Sequence, residues 1–277
     1  MNLNHVRMGF KTINKPMIER LASDLAESFF RYPGPVVPQT IAEGLEIGYC
    51  YVRRNDAFDG LIEYFEGEWF IYINLRNDQS NPSHPRVRFS FAHELGHYII
   101  DDHRVNLRKP GVRPHGSQGM LWIDIKAERE AEYFAAALLM PREWVLYDLR
   151  GRKFSAALIE EISNNYQVSY TAALMRFIEL GNHPILVVCS HNNIIQWRQM
   201  SEDFPFRLIN EGPGKQLPEC SAAAEFFADG RRYSKPEEVY AGDWFRIYQP
   251  QDNRRKFFEY CIYFAERQTV ISVLWEG

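Results

Sequence analysis

The sequence has no uninterrupted apolar run near the roughly 18 residues of a membrane span, and its opening stretch, Met-Asn-Leu-Asn-His-Val-Arg-Met-Gly-Phe, lacks the apolar centre of a signal peptide. These absences predict a soluble cytoplasmic protein with no membrane partner. Its four cysteines, Cys50, Cys189, Cys220 and Cys261, lie far apart with no CxxC pair. Neither a thiolate zinc site nor a dithiol redox motif is indicated, and reduced, mostly buried thiols are expected. Low-complexity tracts and internal repeats are also missing. With 45% hydrophobic and 25% charged residues the chain has the balance of packed domains. Lys and Arg (32) do not exceed Asp and Glu (36), and the net charge of -4 argues against a protein whose main partner is bulk nucleic acid.

At 277 residues there is room for two or three compact units. Met17, Ile18, Leu21, Leu25, Phe29 and Phe30 recur at helical spacing and predict an opening amphipathic helix over 15–30, ended by Tyr32-Pro33-Gly34-Pro35. A short helix over 38–46 and a strand over 47–53 follow. Leu61 to Phe65 and Trp69 to Leu75 read as a hairpin around Glu66-Gly67, the second arm rich in β-branched and aromatic residues. Ser83 as cap and Pro85 in the first turn start a helix that runs to about Ile100. Residues 103–123 carry Pro110, Gly111, Pro114, Gly116, Gly119 and four Arg or Lys with no acidic residue, and read as a mobile basic loop. Ile125 to Leu139 is helical again.

Inside the predicted 83–100 helix lies His93-Glu94-Leu95-Gly96-His97, an HExxH pattern. Histidines at i and i+4 project about 40° apart, so both imidazoles reach one metal, and the intervening glutamate points beside them. Phe91, Ala92, Leu95, Tyr98 and Ile99 fall on the other side and can bury the helix. This is the arrangement of two metal ligands and a general base. A catalytic zinc needs a third protein ligand and an open position. One candidate is His103, at the spacing of HExxHxxGxxH enzymes, although Ile100 stands where that pattern has glycine. The other is Glu128, in Glu-Arg-Glu-Ala-Glu-Tyr-Phe-Ala-Ala-Ala-Leu-Leu-Met-Pro.

Arg88-Phe89-Ser90-Phe91-Ala92-His93-Glu94-Leu95-Gly96-His97-Tyr98, followed by Glu128-x-Glu130-Ala131-x-x-Phe134-Ala135-Ala136-x-Leu138-Leu139-Met140-Pro141 and preceded by Tyr72-Ile73-Asn74, resembles the ImmA/IrrE family of metallopeptidases. The resemblance implies an α+β fold in three parts. These are a zincin-like metallopeptidase domain over 1–141, a helical helix-turn-helix-like segment over 142–182, and a C-terminal α+β domain over 183–277, sensory in type and similar to GAF domains. It implies Zn2+ held by His93, His97 and Glu128, with Glu94 as catalytic base. It further implies a narrow-specificity endopeptidase that cleaves a helix-turn-helix repressor and so relieves repression, in stress response or mobile-element control. The alternative is a zincin-like regulator that binds DNA or a protein partner without hydrolysis.

Glu132 departs from the family, where many members have Asn. One helical turn beyond Glu128, it either supports a liganding histidine or is a solvated helix residue. Glu130, turned about 200° from Glu128, reads as a surface charge. Tyr98, His103, His115 and Tyr133 are candidate donors to an oxyanion. The strand Trp69 to Leu75 is a candidate to pair with extended substrate.

Residues 154–180 read as helix, short turn at 165–168, helix. Arg142, Arg150, Arg152, Lys153 and Arg176 are balanced by Glu143, Asp148, Glu160, Glu161 and Glu179, with only Arg176 on the second helix. That is too little cation for phosphate binding, and direct DNA binding is not expected. Beyond residue 184 strands are expected over 185–190, 194–198, 244–248, 257–264 and 269–274.

Overall fold

A computed structural model of the chain describes residues 13–54, 58–75, 81–109, 115–116 (backbone), 125–207, 210 and 212–277. It separates into two units, Met1–Arg150 with Ala156–Ala173, and Gly151–Ser155 with Leu174–Gly277.

The first unit contains α1 (Lys15–Phe29), α2 (Pro38–Gly44), β1 (Gly48–Val52), β2 (Gly60–Phe65), β3 (Glu68–Asn74), α3 (Pro85–Ile99), α4 (Asp101–Leu107), β4 (His115–Gly116), α5 (Ile125–Leu139), α6 (Arg142–Asp148) and α7 (Ala156–Tyr166). Asn14 starts α1 by accepting the amide N-H of Met17 at 3.3 Å, and the stripe Ile18, Ala22 and Ala26 is fully buried. Those small residues let α1 lie close on α5. The sheet order is β1-β3-β2-β4, with β1 parallel and β2 antiparallel to β3. The turn Glu66-Gly67 has positive φ at both positions, which matches the twist of a two-residue hairpin.

The helix α3 packs on β2 and β3 and, on its other side, on α5. Val87, Arg88 and every residue from Ser90 to His97 are buried. Its cap differs from expectation. Pro85 has no N-H to offer, so the first amide needing a partner is that of Arg86, which His84 Nδ1 accepts at 3.2 Å; the Ser83 amide instead donates to Asn81 Oδ1. Arg88 buries its guanidinium against main-chain carbonyls, with no carboxylate partner among the described residues. Its Nη2 donates to the carbonyls of Val36 (2.7 Å) and Tyr166 (3.3 Å) and its Nε to that of Gln167 (3.0 Å), closing the C-terminal end of α7. Residues 101–107, expected to begin a loop in part, form α4, whose first turn carries Asp101 and Asp102, negative charges that suit the helix dipole. Most of the basic loop, 110–114 and 117–124, lies outside the described residues.

α8 (Tyr170–Leu180) crosses the boundary between the units, and Ser169 Oγ accepts the Ala172 amide at its start. The second unit continues with β5 (Leu186–His191), β6 (Ile194–Met200), α9 (Ala222–Asp229), β7 (Glu237–Tyr240), α10 (Ala241–Trp244), β8 (Lys256–Phe264) and β9 (Thr269–Glu276). Its five strands form an antiparallel sheet in the order β6-β5-β9-β8-β7, which α9 covers from the β8 and β9 side. Phe204, Phe245 and Phe257 pack ring to ring at 5.2–5.9 Å in its core. The strand expected at 244–248 is not there. The chain turns instead at Asp243, whose Oδ2 accepts the Tyr240 amide at 3.0 Å, and the edge strand is the preceding Glu237–Tyr240, with Val239 inward.

A buried carboxylate fixes α9 to this sheet. Glu259 on β8 accepts the amides of Ala222 (2.9 Å) and Ala223 (3.3 Å) and the hydroxyl of Ser272 (2.7 Å), so it answers the free N-H groups of the helix start from inside the core. Burial raises its pKa, and these hydrogen bonds oppose the rise. Cys50, Cys189, Cys220 and Cys261 are free thiols, with Cys189 and Cys261 buried, Cys50 partly buried and Cys220 exposed.

Candidate metal centre

The face of α3 that looks at α5 carries His93 and His97, and the first turn of α5 brings Glu128 over them. His93 Nε2 lies 3.4 Å from Glu128 Oε2, His97 Nε2 lies 3.2 Å from Glu128 Oε1, and the two Nε2 atoms are 3.1 Å apart. One ligand atom from each residue falls within 4.8 Å of the others. Both histidines are buried and Glu128 is partly so. Two imidazole nitrogens and one carboxylate oxygen converging in a shielded place are a donor set that fits a divalent cation such as zinc.

Close approach of the two helices makes this possible. A Cβ on Gly96 would lie 3.1 Å from Phe134 Cδ1 and 3.2 Å from Ala131 Cα, so the missing side chain of Gly96 lets α3 lie directly on Ala131 and Phe134 of α5. Ala131 stands one turn beyond Glu128, and this contact sets the reach of the carboxylate across to the histidines.

Glu94 is fully buried, and neither carboxylate oxygen has a hydrogen-bond partner among the described residues. Burial, then the neighbouring Glu128 carboxylate, pushes its carboxyl well above the usual range. Space for it comes from β2: a Cβ on Gly60 would sit 2.5 Å from Glu94 Oε1, 2.9 Å from its Cγ and 3.1 Å from its Cδ. The start of β2 is tied down twice. Asn74, itself buried, donates from Nδ2 to the carbonyls of Arg54 and Phe58 at 3.0 Å, and its amide donates to the Asp59 carbonyl at 2.9 Å. Asp59 Oδ2 in turn holds Arg86 of α3 at 2.7 Å. Gly60, Asp59 and Arg86 carry no recognisable motif. Asn74 is visible in the sequence only as part of the resemblance.

The rival ligand His103 is not in the donor group. It is buried, its ring centroid is 5.1 Å from that of His97, and its Nε2 meets Glu130 Oε2 at 3.1 Å. Glu130 is therefore no surface charge: it is buried between His103 and Lys126, whose Nζ is 3.1 Å from Oε1. Glu132 is solvent-exposed, which fits the solvated reading. Among the candidate oxyanion donors, Tyr133 gives its hydroxyl to Glu19 Oε2 at 2.7 Å and Tyr98 packs edge-on against Trp69 at 5.4 Å; the side chain of His115 is outside the described residues. β3 is not a site for substrate pairing, because β1 and β2 occupy both its edges. Arg176, the lone basic residue of α8, is buried and paired with Glu179 at 3.0 Å.

No helix among the described residues is long and apolar enough to cross a membrane. No curated protein matches the sequence significantly. A solved structure described as a Mycobacterium tuberculosis transcriptional regulator is similar in fold, with a TM-score of 0.57 at 12% identity, covering 94% of this chain and 76% of that one. Residues 55–177, somewhat under half of the chain, match the family model of the IrrE N-terminal-like domain, peptidase M78, and the match takes in His93, Glu94, His97 and Glu128 together with the strands and helices that hold them. Over this domain the chain is similar to the ImmA/IrrE family.

Proposed function

We propose that this protein is a zinc-dependent endopeptidase of narrow specificity whose substrate is a helix-turn-helix transcriptional repressor. One observation carries the catalytic part. Three donor atoms within 4.8 Å of one another stand beside a fully buried glutamate whose oxygens have no hydrogen-bond partner among the described residues. A dry, unpartnered carboxylate is costly, on the order of several kcal/mol, and a site that keeps one next to a metal group uses it.

His93, His97 and Glu128 would hold the zinc, and the fourth position would remain open, as in hydrolytic zinc sites. When bound, zinc supplies Lewis acidity that polarises a peptide carbonyl and lowers the pKa of a water toward about 7. Glu94 receives the proton of the attacking water on a carboxylate oxygen and returns it to the departing amine nitrogen. Its burial keeps bulk water from competing for that proton. The part of the sheet nearest Glu94 is β2, whose outer flank pairs, among the described residues, with the two-residue β4, and a backbone edge there supports binding of an extended segment.

The repressor as substrate rests on the likeness of residues 55–177 to the family, and the similarity to a transcriptional regulator is consistent with work in gene control. That similarity also favours a second reading, a regulator that binds its partner without cutting it. Incubation of purified protein with the repressor encoded beside its gene separates the two. A single cut that requires zinc, disappears with chelator and is abolished by Glu94→Gln supports the peptidase; full biological effect from metal-loaded Glu94→Gln rules it out.

A further inference from the structure

We propose that Gly60 is a positioning residue for the general base, its missing side chain forming the seat in which the Glu94 carboxylate is held. The inference rests on the peptidase reading and adds a residue from outside the HExxH helix to the machinery. Three distances carry it. A Cβ at position 60 would overlap Oε1, Cγ and Cδ of Glu94 at 2.5, 2.9 and 3.1 Å. Real Cβ atoms essentially never approach another atom at the first of these distances. Because Cγ is hit as well, rotating the carboxylate alone gives no relief, and the glutamate is fully buried in a packed interior.

Backbone geometry does not explain the glycine. Gly60 is not among the residues with positive φ, so its conformation is open to any L-residue and alanine would meet no torsional penalty. What remains is the space given to Glu94. That seat is also held in place. Asn74 anchors the carbonyls of Phe58 and Asp59 immediately before it, and the Asp59–Arg86 ion pair joins it to the first turn of α3, seven residues ahead of His93. The strand end and the helix are thus joined, and the glutamate lies between them with its carboxylate directed by shape, since no hydrogen bond from the described residues directs it.

Two readouts test this in the full chain loaded with zinc. The first is thermal melting of wild type, Gly60→Ala, Glu94→Ala and the double variant. Gly60→Ala should lower the melting temperature by about 3 °C or more when Glu94 is present and by less than about 1 °C when it is alanine, because the overpacking vanishes with its partner. A Gly60→Ala chain that folds only in the Glu94→Ala background reports the same coupling. Equal losses in both backgrounds overturn the proposal. The second is cleavage of the repressor. Gly60→Ala should keep zinc affinity and KM within about threefold while kcat falls roughly 100-fold, and adding Glu94→Asp, which withdraws the carboxylate by one methylene, should raise kcat again. An unchanged kcat in Gly60→Ala, or no rescue by the shorter acid, overturns it too. If wild type cuts nothing, the peptidase reading fails and the positioning role with it, while the melting cycle still reports whether the two side-chain positions compete for one space.

Discussion

His103 Nε2 lies 3.1 Å from Glu130 Oε2, joining α4 to α5 two residues beyond Glu128. The pair is buried and its imidazole leans on the ring of His97, so it braces both sides of the metal group at once. Glu130→Ala removes the brace without touching a ligand. Zinc affinity is expected to fall roughly 10-fold to 100-fold, as it does for outer-shell partners elsewhere. Competition against a metal-binding dye measures it, and an affinity equal to wild type would show that the brace is irrelevant to the site.

Metal removal should destabilise the first unit selectively. The three donors crowd within 4.8 Å, and all belong to that unit. At a free zinc concentration 100 times the dissociation constant the stabilisation is about 2.7 kcal/mol. Calorimetry with zinc and with chelator should therefore move one transition and leave that of the second unit in place. Glu128→Ala should abolish the difference.

Contact between α3 and α5 sets the span of the site, so enlarging Gly96 should weaken it. A Cβ there meets Ala131 Cα at 3.2 Å, an atom that cannot move without its helix. Gly96→Val should cost about 1–3 kcal/mol by overpacking. Zinc affinity should drop more than tenfold as Glu128 is carried away from the histidines. If chemical denaturation shows the loss but zinc binding is unchanged, the helix spacing does not govern the ligands.

The first unit should lose stability in strong alkali. Tyr32 donates to Asp148 Oδ1 at 2.6 Å and Tyr72 to Glu63 Oε1 at 2.7 Å, and each of these hydrogen bonds to a carboxylate raises its phenol from 10.0 to about 12. The folded state therefore keeps protons that the unfolded chain releases. Stability from this source is complete below pH 10 and is lost as pH rises from about 10 to about 12. Urea midpoints across that range should decline, less steeply in Tyr32→Phe.

Arg88 should be among the most sensitive positions outside the site. Its three hydrogen bonds all go to main-chain carbonyls, of Val36, Tyr166 and Gln167. Arg88→Ala strands those acceptors and should cost roughly 3 kcal/mol or more in denaturant unfolding. Lysine, a single point of charge, should recover only part.

Much of the site was legible because it is written within single helices. The i, i+4 spacing of His93 and His97 is a property of one helix, and Glu128 was visible through the resemblance of its own segment. The hairpin was equally local, marked by Glu66-Gly67 between two aromatic arms. What could not be read depends on which element lies beside which. The angular offset between Glu130 and Glu128 says only that they diverge; that α4 returns His103 to meet Glu130 is a tertiary fact. Gly60 is silent for the same reason, since an absent side chain has meaning only beside Glu94. In the second unit β7 was hidden because this short edge strand opens on two charges, Glu237 partly buried and Glu238 exposed, and the aromatics of Trp244 to Tyr248 imitated a strand where Asp243 turns the chain.

Glu94 is enclosed with no hydrogen-bond partner among the described residues, and in the proposed peptidase this sets thermostability against turnover. An apolar side chain of similar volume, such as methionine, would fill the seat beside Gly60 without the desolvation penalty. A library of this protein sorted only for survival on heating should therefore drift toward chains that keep His93, His97 and Glu128, still capture zinc and hydrolyse nothing. Under the peptidase reading, a cutting enzyme and a silent metal-binding regulator are one substitution apart on this scaffold, and heat alone pushes from the first toward the second.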